Sequence, residues 1–146
     1  MISKKYETSK DLQNEESFIS KMQENYGLVL KKLPMSYSLD FLSFKDGEPY
    51  KFIEYKRRHF SYGKYDTVIL SAIKYNNAIA MSNSLKLDTQ FVVELDDGVY
   101  STKIPLTSLD IRWGGRTKQY RDATDIEPVI HISMDSFKLM YKKGLI

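Results

Sequence analysis

Residues 38–58 read SLDFLSFKDGEPYKFIEYKRR, and this stretch decides the fold. Over 35–44, Tyr37, Leu39 and Phe41 alternate with Ser36, Ser38 and Asp40, the period of a half-buried strand. Asp46-Gly47 is a hairpin signal, and Pro49, which has no N–H, is expected to stop the ladder. Residues 50–57, YKFIEYKR, then return as the antiparallel partner. Side chains alternate along a strand, so Glu54 and Lys56 share one face while Ile53 and Tyr55 form the apolar one. Asp40 and Glu54 are about equally far from the turn. They are expected as cross-strand neighbours, with side chains about 5 Å apart.

Two carboxylates side by side repel, and a cation between them removes the conflict. A hard divalent ion such as Mg²⁺ (or Mn²⁺) takes oxygen ligands and commonly binds through one or two carboxylates, waters and phosphate oxygens. Such an ion polarises a phosphoryl oxygen and acidifies a bound water. Lys56, on the same face, is placed to orient that water or to stabilise developing charge. Asp40, Glu54 and Lys56 are therefore the candidate catalytic set, with Asp40 and Glu54 as metal ligands, and together they suit phosphodiester hydrolysis. The same Glu-x-Lys pattern also occurs as an ordinary ion pair on a solvated strand.

Outward from the hairpin, residues 14–32 are expected to form a helix, with Phe18, Ile19, Met22 and Tyr26 at helical spacing and Gly27 as a candidate break. Residues 66–83 are expected to form a second helix, with Val68, Ala72, Tyr75 and Ile79 on one stripe. Residues 89–95 and 99–104 read as strands around the Asp96-Asp97-Gly98 turn, 129–134 as a further strand and 136–144 as a terminal helix. The stretch 105–128 has no clear period. Strands interleaved with helices predict an α/β (α+β mixed) chain, with a mixed central β-sheet flanked by helices.

The chain's 146 residues suit one domain over 1–146, with residues 1–12 polar and loosely held. Hydrophobic residues make up 42% and aromatics 13%, which excludes a wholly disordered chain. No apolar run approaches the roughly 20 residues of a membrane span, and the first ten residues carry no signal-like stretch. Cysteine is absent, so disulfides and thiolate metal sites are excluded and a cytoplasmic location is expected. His59 and His131 stand far apart, against a His-rich zinc site.

The net charge is only +3, but the positive residues are clustered. Lys45–Lys64 holds six basic residues against three acids, and Arg112–Arg121 holds four with none. Arg57, Arg58 and Lys64 lie in or beside a loop with Phe60 and Tyr62, a composition suited to phosphate contact and base stacking. Trp113-Gly114-Gly115-Arg116, with Arg121, reads either as a second DNA-contacting loop or as a buried Trp beside a tight turn. Asp122, Asp125 and Glu127 interrupt that basic run and are candidates to pair with its arginines. Glu94 reads as structural or surface, and His59 as a surface residue.

The segment SLDFLSFKDGEPYKFIEYKRR resembles the motif of the PD-(D/E)xK nuclease superfamily, in which an acid begins one strand and (D/E)-x-K sits on the next. Leu39 stands where that pattern often has Pro. HFSYGKYDTVILSAIKYNNA, FVVELDDGVY and WGGRTKQYRDATDIEPVIHISM also resemble segments of small phage and prophage nuclease-like proteins of this superfamily, so the likeness covers most of 35–135. The resemblance implies a restriction-endonuclease-like αβββαβ core and Mg²⁺-dependent endonucleolytic cutting of DNA that leaves 5′-phosphate ends. It also implies a further metal ligand on the first helix, for which Glu16 is chosen over Glu15. Polar residues of the second helix, here Ser71, Lys74 and Asn77, are implied near the scissile phosphate, with Lys74 as a DNA contact. Compactness and the lack of a separate sequence-reading domain favour structure-selective or weakly selective cutting, as in junction resolvases, and the resemblance implies a homodimer, since several superfamily members act as dimers and cutting two strands needs two sites. The alternatives on the same fold are a DNA-binding protein without activity, a nuclease acting on RNA, and a phage protein that engages a host defence protein.

Overall fold

The structure, a computed structural model, describes residues 9–34, 39–115 and 126–143. The predicted hairpin is its centre. Strand β2 (Phe41–Lys45) and strand β3 (Glu48–Arg57) pair antiparallel, with Phe41 opposite Ile53. Asp46 and Gly47 both take positive φ, as a tight hairpin turn of this kind requires. Pro49 does not stop the ladder: it lies inside β3 opposite Phe44, where a register shift between Ser43 and Phe44 absorbs the irregularity. Residues 35–38 of the expected strand lie outside the described residues.

The first helix, α1, spans Ser9–Tyr26 and stops short of the expected end at 32. Gly27 takes φ +67°, a left-handed conformation that ends a helix at little cost. The next residues, Leu28–Lys32, form strand β1 on the free side of β2. Leu28 and Leu30 are buried and Val29 and Lys31 exposed, a period of two that suits a strand. The expected helix at 66–83 also divides. Strand β4 (Thr67–Ser71) buries Val68 and Leu70, and helix α2 (Ala72–Leu85) starts at Ser71, whose hydroxyl accepts from the Lys74 N–H.

Strands β5 (Asp88–Glu94) and β6 (Gly98–Ile104) agree with the sequence reading. Strand β7 (Ile111–Gly115) rises from the stretch without a clear period, and β8 spans Ile126–Ser133. The expected terminal helix is instead a short 3-10 turn, Met134–Ser136, followed by strand β9 (Lys138–Lys142) paired with β6. Pairing with an open sheet edge overrides the local helical preference of this segment.

Six strands form one mixed sheet in the order β1-β2-β3-β5-β6-β9, with β3 and β5 parallel. A smaller sheet has the order β4-β8-β7. The chain between β3 and β5 carries β4 and α2, and both faces of β3 are covered. On one face, Phe18 and Met22 of α1 pack with Phe41, Ile53, Tyr55 and Val92. On the other, Phe52, Phe91 and Val93 pack with Tyr75 and Ala78 of α2 and with the inner side of the small sheet. Among the described residues no helix is long and apolar enough to cross a membrane.

Candidate active site

The alternation of β3 points Glu54 and Lys56 toward the α2 face, opposite Ile53 and Tyr55. The register that pairs Phe41 with Ile53 sets Asp40 across from Glu54, and the Asp40 N–H donates to the Ile53 carbonyl at 3.2 Å. The Asp40 carboxylate is fixed in turn by the backbone N–H of Tyr55, which donates to Oδ2 at 2.7 Å. Asp40, Glu54 and Lys56 thus meet at the mouth of the β2–β3 hairpin, as the sequence spacing predicts.

Glu54 is the least ordinary group of the cluster. Its residue is 1% exposed. Its Oε2 accepts from Lys74 Nζ at 2.9 Å and lies 3.9 Å from Lys56 Nζ. Its Oε1 is buried and has no hydrogen-bond partner. Burial pushes the carboxyl up to about 6, and the charge of Asp40 adds to the rise while Lys74 and Lys56 oppose it. Burial also lowers the Lys56 ammonium below its usual range, as does the charge of Lys74, against the pull of Glu54 and Asp40. For Lys74 burial acts downward, but the pull and hydrogen bond of Glu54 outweigh it and the net shift is upward. Arg58 feels the same Glu54 charge, with burial as the larger, opposing effect. Three cationic side chains therefore surround two carboxylates, an environment that attracts a phosphate.

The remaining candidates divide. Lys74, expected on DNA, is placed here against Glu54 because Ser71 caps α2 and Tyr75 and Ala78 anchor the helix in the core. Ser71 itself donates to Glu127 Oε1 at 2.9 Å, so Glu127 serves the helix start. Glu16 is exposed on α1. Glu15, three residues before the fully buried Phe18, turns inward instead and meets Lys32 Nζ at 2.8 Å. Of the two candidates, Glu15 is the one that meets the β1 strand, and Glu16, chosen as the metal ligand, points to solvent. Among the described residues no cluster of three or more His, Cys, Asp or Glu side chains is present.

Arg57 does not face the cluster. It reaches the α1 side, where Nη2 contacts Asp96 Oδ1 at 2.8 Å and Nε lies 3.9 Å from Glu94 Oε2. Arg57, expected as a phosphate contact, is placed in an ion network with Glu94 and Asp96. Glu94 is buried, accepting from the Tyr55 hydroxyl at 2.5 Å and from Lys143 Nζ at 2.6 Å. Burial, together with the bond to Glu94, pushes the Tyr55 hydroxyl far up and keeps it protonated. Sequence reasoning missed this network because its members come from β3, β5, the turn after β5 and the residue after β9, far apart in the chain.

The loop after β3 also uses its aromatics internally: Tyr62 stacks on Tyr100 and Phe60 meets Tyr65 edge-on, both with centroids 4.8 Å apart. Lys64 is exposed beside the Tyr65 ring, and His59 is exposed as expected. Trp113 is 77% exposed on β7, which excludes the buried reading. Arg116, Arg121, Asp122 and Asp125 lie outside the described residues.

The residues fit a hard divalent cation. Asp40 and Glu54 offer carboxylate oxygens from adjacent strands, and the bare, buried Glu54 Oε1 is an acceptor that a cation would satisfy. A mixed sheet with an acid leading one strand and Glu-x-Lys on the next defines the PD-(D/E)xK nuclease class. The chain belongs to the family described as "Phage putative PDDEXK endonuclease", which matches residues 1–140. Its structure is similar to that of Hjc, a Holliday junction resolvase from the archaeal hyperthermophile Archaeoglobus fulgidus, with a TM-score of 0.62 at 13% sequence identity. That likeness covers 90% of this chain and 93% of the Hjc chain, and at such low identity it speaks for the restriction-endonuclease-like fold. No curated protein sequence matches the chain.

Proposed function

We propose that this chain is a Mg²⁺-dependent endonuclease that hydrolyses phosphodiester bonds in DNA and selects branched structures, as a junction resolvase does. The observation that carries the reading is the buried Glu54 carboxylate with one oxygen bare, set across a hairpin from Asp40 and beside Lys56. Asp40 and Glu54 would hold Mg²⁺ or Mn²⁺. Such an ion, when bound, supplies Lewis-acid polarisation of the phosphoryl oxygen and a more acidic water.

The protein groups do the rest. The Tyr55 N–H and the β2–β3 register hold Asp40 against Glu54, so the two carboxylates are preorganised. Lys56 donates hydrogen bonds toward the attacking water and the charge that grows on the phosphate. Arg58 adds positive potential to the same pocket. Further from the chemistry, exposed Lys64 and Trp113 supply a phosphate contact and a stacking surface, and Arg116 and Arg121 are assigned to phosphate contact on sequence grounds. Paired cuts across a junction require two such sites, hence two copies of the chain.

The test is a cleavage panel of plasmid, four-way junction, flap and structured RNA, each with Mg²⁺ or with EDTA. The expected outcome is Mg²⁺-dependent cutting of the junction with 5′-phosphate ends, lost in Asp40→Asn and Lys56→Ala while DNA binding persists. No cutting of any substrate contradicts the reading and leaves a binding protein. Cutting of RNA alone moves the substrate class.

A further inference from the structure

The cation already seated on Glu54 belongs to α2 and not to the Glu-x-Lys pair. Lys74 Nζ stands 2.9 Å from Glu54 Oε2, and Lys56 Nζ stands 3.9 Å from the same oxygen. Both lysines share one oxygen, and the other oxygen is left bare. The backbone under Lys74 is fixed, because its N–H bonds to the Ser71 cap and Tyr75 and Ala78 are buried one and four residues on. The side chain is free to swing: it is 33% exposed, and a lysine stem has four rotatable carbons carrying a compact charge.

We propose that Lys74 is the occupant a divalent cation must displace from Glu54, and that its released ammonium then takes a phosphate of the bound DNA. The proposal rests on the hydrolytic reading, in which Asp40 and Glu54 hold the metal. Its logic is charge balance. Without metal, Lys74 compensates two carboxylates held across one hairpin. With a divalent ion on those carboxylates, Lys56, Lys74 and the ion together exceed them in charge, and Lys74 gains little by staying. A DNA phosphate is the anion that restores the balance. Metal and DNA are then coupled through one side chain, and each strengthens the other's binding by the same factor.

The experiment measures Mn²⁺ binding at pH 8, from the electron paramagnetic resonance signal of free Mn²⁺. It uses the full chain and Lys74→Met, each with and without a phosphorothioate-protected four-way junction. The expected result is that the junction tightens Mn²⁺ binding to the wild type about tenfold, the size of coupling between charges in contact. Lys74→Met is expected to bind Mn²⁺ about tenfold tighter than the wild type without DNA, and the junction adds under about threefold. Equal Mn²⁺ affinity in wild type and folded Lys74→Met overturns the proposal. Should Lys74→Met fail to fold, the wild type decides alone: an affinity that the junction leaves unchanged overturns it. The two readings fail separately. Tighter Mn²⁺ binding in Lys74→Met with no cleavage by the wild type keeps Lys74 as the displaced cation and removes the nuclease reading. Cleavage with equal affinities does the reverse.

Discussion

Glu54 and Glu94 lie on neighbouring parallel strands, both buried, and face opposite sides of the sheet. Glu94 uses both oxygens: Oε1 accepts from the Tyr55 hydroxyl, Oε2 from Lys143, and Arg57 stands 3.9 Å off. Glu54 crowds two lysines onto Oε2 and leaves Oε1 bare. Burial of a carboxylate is therefore no sign of a site in this molecule; incomplete satisfaction is. A satisfied buried charge fastens elements together, here β3, β5 and the chain end, while an unsatisfied one keeps a place for a ligand.

The contrast breaks most visibly in activity. Glu54→Gln is expected to reduce junction cleavage by about a thousandfold or more, roughly 4 kcal/mol of transition-state stabilisation, with the fold intact by circular dichroism. Glu94→Ala is expected to keep the cleavage rate at a temperature where it remains folded. Loss of cutting in both, with both folded, would erase the distinction.

Stability reverses the order. Glu94→Ala strands Lys143 and the Tyr55 hydroxyl beside an empty place, leaves Arg57 with Asp96 alone, and is expected to cost on the order of 3 kcal/mol in urea unfolding. Glu54→Gln mimics the protonated acid that burial already favours, so it is expected to leave metal-free stability at pH 8 unchanged or higher.

The pH dependence sharpens this further. The Glu54 carboxyl is raised from 4.5 to about 6, so the folded chain holds that proton more tightly than the unfolded one. Its contribution is fully present below about 4.5 and is lost as pH rises through about 6. At 1.36 kcal/mol per pKa unit the loss is about 2 kcal/mol. Measured in EDTA, the wild-type curve should fall by that amount relative to Glu54→Gln across this window. Parallel curves would contradict the burial of an ionised Glu54. The smallest effect is that of Tyr55→Phe, which removes one donor to Glu94 and is expected to cost about 1 kcal/mol while cleavage stays.

What the sequence made legible follows the range of the interactions. The period of two around Asp46-Gly47 sets β2 against β3; a strictly symmetric count from that turn pairs Asp40 with Ile53, and the register shift between Ser43 and Phe44 carries it across to Glu54. Leu28–Lys32 and Lys138–Lys142 look helical locally, because Leu, Met and Lys suit a helix. They are strands because β2 and β6 offer open edges. The partners of Glu94 lie 39 and 49 residues away in the chain. Lys74 shared an expected helical face with Ser71, but its contact with Glu54 depends on how α2 packs over β3, which no local pattern encodes.

Anomalous scattering from a crystal grown in excess Mn²⁺ decides whether the bare oxygen of Glu54 is a metal ligand. One peak is expected in contact with both Asp40 and Glu54 Oε1, with Lys74 Nζ withdrawn from Glu54. A structure at saturating Mn²⁺ with no ion between those carboxylates, and Lys74 still on Glu54, would contradict that role.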